Sequence, residues 1–217
     1  MSDAQTYIAT VRRALGRREP VAVPPPPGLD AKLIRTISPE ENLPQRFVAQ
    51  AQASGMTVTR VELDQLVDRL IALLREAGAT TVALPVSMLF DSLDLAGRLN
   101  EAGIKARRWD ESTADAVFDV DCGITDVDLA IAETGSLVIR AKPGHGRVLS
   151  LAPAIHVAVV QPRQIVPDLL DALGQLEMDG CGSGTVVITG PSKTTDIEGN
   201  LVIGVHGPGT VHVLLLE

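Results

Sequence analysis

Hydrophobic and polar positions alternate along the chain with two different periods. Short runs rich in β-branched residues predict eight strands, at 56–61, 80–84, 104–108, 127–132, 136–140, 155–160, 185–189 and 210–216. Apolar residues three to four positions apart predict helices at 3–17, 44–54, 62–77, 87–102 and 166–178. Strands that alternate with helices are typical of an α/β fold, so we expect a three-layer α/β/α domain around a mainly parallel sheet.

The alternation fails between residues 127 and 160. Three predicted strands follow one another there, with only turns such as 142–146 between them. Parallel neighbours need a long crossover connection, whereas antiparallel neighbours can be joined by a turn. The sequence therefore predicts that part of the sheet is antiparallel or mixed.

The first 28 residues are predicted to be a separate N-terminal arm. An amphipathic helix is followed by a proline run at 24–27, which favours an extended spacer. One interpretation is a strap that packs on the chain's own body. The other is a docking arm for a second subunit, which would give a homo-oligomer. Residues 29–217 are expected to form the α/β domain.

Composition and charge exclude several classes of protein. With 45% apolar and 21% charged residues, the chain is an ordinary globular sequence. The net charge of −8, and five aromatic residues that are not interleaved with basic ones, argue against a nucleic-acid partner. No apolar stretch approaches the roughly 20 residues of a membrane-spanning helix. The N-terminus also lacks the apolar core of a signal peptide, so we expect a cytoplasmic protein with no membrane partner.

The cysteine content bears on possible cofactors. Cys122 and Cys181 lie far apart and belong to no C-x-x-C pair. Neither a structural zinc site nor an iron–sulfur ligand set can be built from two such residues. No cofactor of these kinds is expected in this chain.

The strongest candidate for a ligand site is TVVITGPSKTTDIE at 185–198. A predicted strand ends at Gly190, and hydrogen-bonding residues follow where a helix is predicted to begin: Ser192, Lys193, Thr194 and Thr195. Free backbone N–H groups at a helix start, with hydroxyls and an ammonium group, would bind phosphate or carboxylate. The alternative is that Thr195 and Glu198 form a capping box, which satisfies those N–H groups without a ligand.

Glycines point to the same part of the chain. Nine of the 19 fall within residues 174–209, where the backbone must turn tightly or approach another group closely. Ligands of open α/β sheets bind at the carboxyl ends of the strands. We therefore expect the C-terminal third to form a site at that edge.

A second signal is the turn at 132–135. Glu133 follows a predicted strand and Gly135 allows a tight turn into the next strand. The carboxylate is a candidate nucleophile or acid/base group. Alternatively, it accepts hydrogen bonds from the turn and has no chemical role.

Three further features of the sequence are weaker candidates for a site. Eight acidic residues and no basic one lie between 110 and 133, but their spacing fits no calcium loop, so a solvated acidic face is predicted and no metal site. The basic turn at 142–147, which ends in Arg147, would bind an anionic ligand or be an exposed hairpin loop. His156, His206 and His212 are expected to be core or hydrogen-bonded, and His206, which Gly204 and Gly207 flank, is the one of the three that is a candidate ligand-binding residue.

Three stretches together resemble the lactate utilization protein C family (LutC/YkgG, LUD domain). They are AETGSLV at 132–138, GRVLSLAPAIHV at 146–157 and GPSKTTDIEGNLVIGVHGP at 190–208. The resemblance covers most of residues 60–217. It implies a component of an L-lactate to pyruvate oxidation system that is itself a non-redox subunit, with iron–sulfur clusters only in partner subunits. The family is similar in fold to NagB/RpiA/CoA-transferase-like proteins, which bind phosphosugars or acyl-CoA.

These resemblances leave three functions open. In the first, the chain is a lactate-utilization subunit with an anion pocket formed by 190–195, Glu133 and Arg147. In the second, it is a free-standing enzyme of the CoA-transferase or phosphosugar type. Class I CoA-transferases form an acyl thioester on a glutamate in a Ser-Glu-Asn-Gly turn, and the turn at 132–135 is similar to it, which implies a nucleophilic Glu133. In the third, it is a regulatory module that senses a metabolite.

Overall fold

The computed structural model describes residues 3–17, 24–25, 28, 35–38, 40–111, 113–179, 184–195 and 198–217. The chain divides into two units, Met1–Arg35 and Thr36–Glu217. In the first unit, helix α1 (Asp3–Ala14) confirms the predicted N-terminal helix, and none of its side chains is buried. The predicted domain boundary after residue 28 stays a prediction, because residues 29–34 and much of the proline run lie outside the described residues.

The second unit is built around a six-stranded sheet in which every pair is parallel. Its strands in spatial order are β1 (Thr57–Val61), β12 (Thr210–Leu216), β7 (Ile155–Val160), β4 (Cys122–Asp126), β2 (Thr81–Leu84) and β3 (Lys105–Arg108). The mainly parallel α/β fold is confirmed.

Antiparallel pairing occurs in a second sheet rather than in the central one. In spatial order, its four strands are β8 (Ile165–Val166), β5 (Leu129–Ile131), β6 (Ser136–Arg140) and β9 (Thr185–Ile188). The β5–β6 and β6–β9 pairs are antiparallel and the β5–β8 pair is parallel. The mixed portion that the uninterrupted strands predicted is therefore real, but it forms a separate layer.

Five helices belong to the second unit as described. They are α2 (Leu43–Ala53), α3 (Leu66–Glu76), α4 (Met88–Ser92), α5 (Leu95–Glu101) and α6 (Leu169–Asp179). Helix α2 begins where its sequence predicts: Asn42 accepts a hydrogen bond from the backbone N–H of Gln45, and Pro44 lies in the first turn. Among the described residues, no helix is long and apolar enough to cross a membrane.

The central sheet lies between two apolar cores, because successive side chains of a strand point to opposite faces of the sheet. On β12, Leu214 and Leu216 face the cluster that contains Leu70 of α3. Val213 and Leu215 face the cluster that includes α2 and the second sheet. Helix α6 packs on the second sheet through Ala172 and Leu176. One side of the central sheet is thus covered by helices, and the other by α2 and a second sheet with its own helix.

Two predicted elements were wrong. The helix expected at 87–102 is divided at Asp94, which adopts a left-handed conformation (φ 46°) between α4 and α5. The helix expected to begin near Ser192 is instead a hairpin of β10 (Lys193–Thr195) and β11 (Leu201–Ile203). β-branched residues on both sides of Gly199, which has φ +84°, favour this hairpin.

Candidate functional site

The turn at 132–135 and the loop at 189–193 meet at the C-terminal end of α2. Gly135 has φ +68°, and a Cβ there would lie 2.1 Å from the backbone nitrogen of Ala51. A Cβ on Gly190 would lie 2.3 Å from the carbonyl oxygen of Ser54. Only glycine permits such close packing of backbone on backbone. The two segments that the sequence singled out are therefore fixed against the same helix end, and we call this region the α2-end cluster.

Lys193 lies in this cluster beside the last carbonyl groups of α2. Its Nζ donates a hydrogen bond of 3.0 Å to the carbonyl oxygen of Ser54, and its side chain is exposed. Helix α2 has no basic residue in its own last turn. A cation at the negative end of a helix is stabilising, so Lys193 has a structural role in addition to any ligand.

Glu133 is half-buried in the same cluster. Its Oε1 accepts a hydrogen bond of 2.5 Å from the hydroxyl of Thr36, and its backbone N–H donates to the carbonyl of Pro167. A chain of hydroxyls, from Thr134 to Ser136 (2.6 Å) and from Ser136 to Thr189 (2.7 Å), connects this turn to the loop before Gly190. The Glu133 carboxylate is therefore held in place, and one of its two oxygens already accepts a hydrogen bond.

In the described residues after Gly190 no helix begins, so the predicted anion-binding helix start is not found there. Lys193, Thr194 and Thr195 form β10, so neither the free N–H groups of a helix nor the Thr195–Glu198 capping box is formed. Thr195 and Glu198 are exposed. The exposed Lys193 ammonium is still available to an anion.

The glycine-rich loop lies at the opposite edge of the sheet from the one expected. The Ser192 N–H donates to the carbonyl of Pro208, and the Gly209 N–H donates to the carbonyl of Ala154. Since Ala154 and Gly209 immediately precede β7 and β12, this loop lies at the amino ends of the parallel strands. The expectation of a carboxyl-end site in this part of the chain was wrong. His206 lies in the same loop and is exposed.

Arg147 is placed elsewhere. It is exposed and lines a largely apolar depression of about 550 Å³ with Trp109, Phe118 and Leu151. A Cβ on Gly184 would lie 2.9 Å from its Nη1. No contact among the described residues brings Arg147 to Lys193, so the structure does not join it to the α2-end cluster.

A second crevice, of about 590 Å³, lies at the carboxyl ends of β2, β4 and β7. The connection from β2 to β3 packs α4 and α5 on one face of the sheet, and the connection from β4 to β7 packs β5 and β6 on the other. The chain thus leaves the adjacent strands β2 and β4 in opposite directions. Ligands of open α/β sheets bind at such topological switch points, and we call this crevice the switch-point crevice.

Asp126, the last residue of β4, lines this crevice. Its Oδ2 accepts a hydrogen bond of 2.8 Å from the hydroxyl of Ser87, which follows β2. Its Oδ1 lies 3.7 Å from Nδ1 of His145. Asp126 Oδ1 and both ring nitrogens of His145 are buried and have no hydrogen-bond partner among the described residues. Gly144, whose carbonyl accepts from the Val86 N–H, holds the turn that carries His145 against β2.

Burial lowers the pKa of His145, and the nearby Asp126 carboxylate opposes this shift. Because burial is the larger effect, the ring is neutral at pH 7. The order Ser87, Asp126, His145 differs from a serine-nucleophile triad, in which the histidine lies between the serine and the acid. The arrangement instead presents a carboxylate to the crevice.

Two cationic side chains, Lys142 and Arg163, border the crevice. Lys142 pairs with the buried Asp128 at 3.1 Å, and Arg140 also pairs with Asp128 at 3.0 Å. Arg163 is exposed and has no hydrogen-bond or ion-pair partner among the described residues. The sequence did not single out Ser87, Asp126 or Arg163, although the polar T-D-V-D at 125–128, directly after a buried strand, was a usable signal.

The remaining histidines and the described cysteine lie outside both sites. His156 is fully buried with its Nε2 2.9 Å from the Thr125 hydroxyl, and burial lowers its pKa to about 3. Burial also raises the pKa of the Cys122 thiol. Cys181 lies outside the described residues. Within the described part of the chain, no three His, Cys, Asp or Glu side chains converge as metal ligands.

Comparison with known proteins gives the relatives of the chain. The profile of the LUD domain matches residues 44–216. Lactate utilization protein C of Exiguobacterium sp. is 39% identical over 118 residues, which is 50% of this chain and 51% of that protein. This chain thus spans about half the length of that relative. Lactate utilization protein C of Halalkalibacterium halodurans is 27% identical over 98% of this chain and 97% of that protein.

A solved structure supports the fold. A DUF162 family protein from Deinococcus radiodurans superposes with a TM-score of 0.62 over 81% of this chain and 96% of that chain. The two sequences are 22% identical, so this similarity concerns the fold alone.

Proposed function

Because the chain belongs to the LUD domain family, we propose that it takes part in lactate utilization, as a subunit of an L-lactate-oxidising system that has no redox centre of its own. The observation that carries this proposal is the relationship, over nearly the whole of both chains, to a protein named lactate utilization protein C. Under this proposal the iron–sulfur clusters belong to partner subunits. This chain would contribute the binding of a small anion.

The α2-end cluster is the proposed anion site. Lys193 brings an exposed ammonium group, and Gly135 and Gly190 fix the surrounding backbone against α2. The Ser54 carbonyl takes one of the three N–H donors of Lys193, so two donors remain for a carboxylate or phosphate. Glu133 would position the ligand by accepting a hydrogen bond from it.

The test is growth of the source organism on L-lactate as sole carbon source. Deletion of this chain should abolish growth, and the wild-type chain should restore it. Lys193→Ala should restore it poorly and Lys193→Arg better, because the charge is kept. Lys105→Ala, which removes an exposed lysine at the start of β3, is the matched control and should restore growth fully. Normal growth of the deletion strain on L-lactate would contradict the proposal.

A second candidate function is acyl transfer through Glu133. The observation that favours it is the Thr36 hydrogen bond, which holds a half-buried carboxylate next to the Lys193 loop. The purified chain would be incubated with an acyl-CoA, reduced with borohydride and mapped by peptide mass. Modification at Glu133, absent in Glu133→Gln, supports acyl transfer. An unmodified Glu133 peptide contradicts it and leaves the subunit proposal unaffected.

A further inference from the structure

We propose that the switch-point crevice binds a small anion that also carries a hydroxyl group. The anionic group lies at Arg163 and Lys142, and the hydroxyl group donates a hydrogen bond to Asp126. The crevice lies at the carboxyl edge of the central sheet and Lys193 at the amino edge, so this inference does not rest on the proposed function.

The charges of the crevice point to an anion. The buried Asp128 is already paired by Arg140 and Lys142. The guanidinium of Arg163 is left without a partner among the described residues, although it borders a cavity large enough for a metabolite. A guanidinium group binds carboxylate and phosphate through two parallel hydrogen bonds.

Asp126, which lines the crevice, points to a hydroxyl group on the same ligand. Buried polar atoms without partners are rare in folded proteins, and they are found where strain or function maintains them. Asp126 Oδ1 and both ring nitrogens of the completely buried His145 are such atoms, and Oδ1 lies 3.7 Å from Nδ1. Because Oδ1 is buried, the oxygen that a crevice ligand would reach is Oδ2, which also accepts from the Ser87 hydroxyl. The Asp126 side chain is 22% exposed, and the residue lines the crevice.

Asp126 gives the crevice a preference between two oxidation states of a ligand. Carboxylate oxygens are hydrogen-bond acceptors, and Asp126 Oδ2 already accepts from the Ser87 hydroxyl. A ligand hydroxyl donates to it, whereas a ketone oxygen offers no proton and is repelled. The crevice should therefore bind a hydroxylated anion more tightly than the corresponding anion without a hydroxyl donor.

The hydroxylated anion can be a hydroxycarboxylate or a hydroxylated phosphate ester, and the experiment separates these sources. Isothermal titration calorimetry of the full chain would use L-lactate against pyruvate, and glycerol 3-phosphate against inorganic phosphate. At least one hydroxylated probe should bind about tenfold or more tightly than its counterpart. Binding of lactate assigns the hydroxycarboxylate class. Binding of glycerol 3-phosphate alone assigns the phosphate class. The proposed function is not affected by that result and is decided by the growth test.

Three variants locate the binding. Arg163→Gln, at an exposed position, should weaken binding about tenfold or more for both members of the bound pair. Asp126→Asn should abolish the preference for the hydroxylated member. Arg107→Gln removes an exposed arginine on β3 that has no partner among the described residues, and it should bind like the wild type.

The proposal is overturned if none of the four probes binds at concentrations up to about 10 mM, which would detect even a weak, millimolar dissociation constant. It is also overturned if binding is lost in Lys193→Ala but kept in Arg163→Gln, since the ligand would then lie at the other edge of the sheet. If Asp126→Asn fails to fold, the Arg163→Gln result decides alone.

Discussion

Lys193 and Ser54, which are 139 positions apart in the sequence, are joined by a hydrogen bond of 3.0 Å from the Lys193 ammonium to the Ser54 carbonyl oxygen. This bond connects the family's longest motif to the end of α2. It gives a helix without basic residues in its last turn the cation that favours its C-terminus. The same lysine is thus both a helix-end partner and the candidate ligand of an anion, and stability measurements separate the two roles.

We expect Lys193→Met to lower the free energy of unfolding by about 0.5–1 kcal/mol, because an exposed cation at a helix end contributes about that much. Lys193→Arg should recover part of the loss. Urea unfolding at low and high salt is the measurement, and the effect of Lys193→Met should shrink in high salt as charges are screened. Lys105→Met is the matched control. Equal losses in the two methionine variants would show that the Ser54 contact has no stabilising effect.

Gly135→Ala should be among the most damaging single changes in the chain. The backbone there has φ +68°, and the new Cβ would lie 2.1 Å from the Ala51 nitrogen. Left-handed strain and overpacking against α2 together predict a loss of about 3 kcal/mol or more, or failure to fold.

Gly78→Ala is the control for that variant. Gly78 has nearly the same conformation (φ +70°), but a Cβ there meets nothing within 4 Å. Only the conformational cost applies, about 1–2 kcal/mol. Thermal unfolding of both variants checks the difference. Similar losses would mean that the close approach of the 132–135 turn to α2 is not a strong constraint.

The fold class was predictable because its strands carry unambiguous patterns. β7 and β12 are almost continuous apolar runs, as buried parallel strands require. β4 was missed because Cys-Gly-Ile-Thr-Asp contains few strand-favouring residues and lies within an acidic stretch. The β10–β11 hairpin was missed because a capping-box pattern and a hairpin pattern coincide in the same residues.

The candidate sites depended on strand order, which local patterns do not specify. Ser87, Asp126 and Arg163 belong to three separate segments, and only the adjacency of β2, β4 and β7 places them in one crevice. The approach of 132–135 to 190–193 likewise depends on α2, whose end contacts both. The sequence predicted Arg147 as part of the anion pocket with Glu133 and residues 190–195. The structure places it instead in the apolar depression that Trp109 lines.

Asp121 should make the chain sensitive to strong acid. Its Oδ2 accepts hydrogen bonds from the backbone N–H and the hydroxyl of Thr80 and of Thr81, which ties the start of β2 to β4. These bonds, first that from the Thr80 N–H, hold the pKa of Asp121 below its ordinary value. Stability from this carboxylate is present above the unfolded pKa of about 3.9 and is lost as pH falls through the lower folded value.

Asp121→Asn should therefore lower stability at pH 7 by about 1–3 kcal/mol, since hydrogen bonds to a charged acceptor are lost. It should also reduce the further loss of stability between pH 4 and pH 2. Urea unfolding across this range is the measurement. Asp119→Asn, at an exposed position with no hydrogen bond among the described residues, is the control for the stability at pH 7. An acid limb unchanged by Asp121→Asn would rule out this carboxylate as its source.

His156 should make stability fall at mildly acidic pH, well before Asp121 is protonated. Burial lowers its pKa to about 3, whereas an unfolded histidine has a pKa of about 6.5. Between these values the unfolded chain binds a proton that the folded chain does not, so the free energy of unfolding falls as pH decreases. The slope is half of its limiting value of about 1.4 kcal/mol per pH unit at pH 6.5 and approaches that limit below it, which gives a loss of about 1.6 kcal/mol between pH 6.5 and pH 5.

Urea unfolding at half-unit steps from pH 7.5 to pH 4.5 measures this slope. His156→Gln should be less stable at pH 7, because the contact with the Thr125 hydroxyl is altered, but its slope should be shallower by up to one proton. Val157→Ala, at the neighbouring buried position of β7, is the control: it removes packing without a titratable group, so its curve should run parallel to that of the wild type. If the His156→Gln curve were parallel as well, the acid sensitivity would have to come from His145 and His212, whose pKa values burial also lowers.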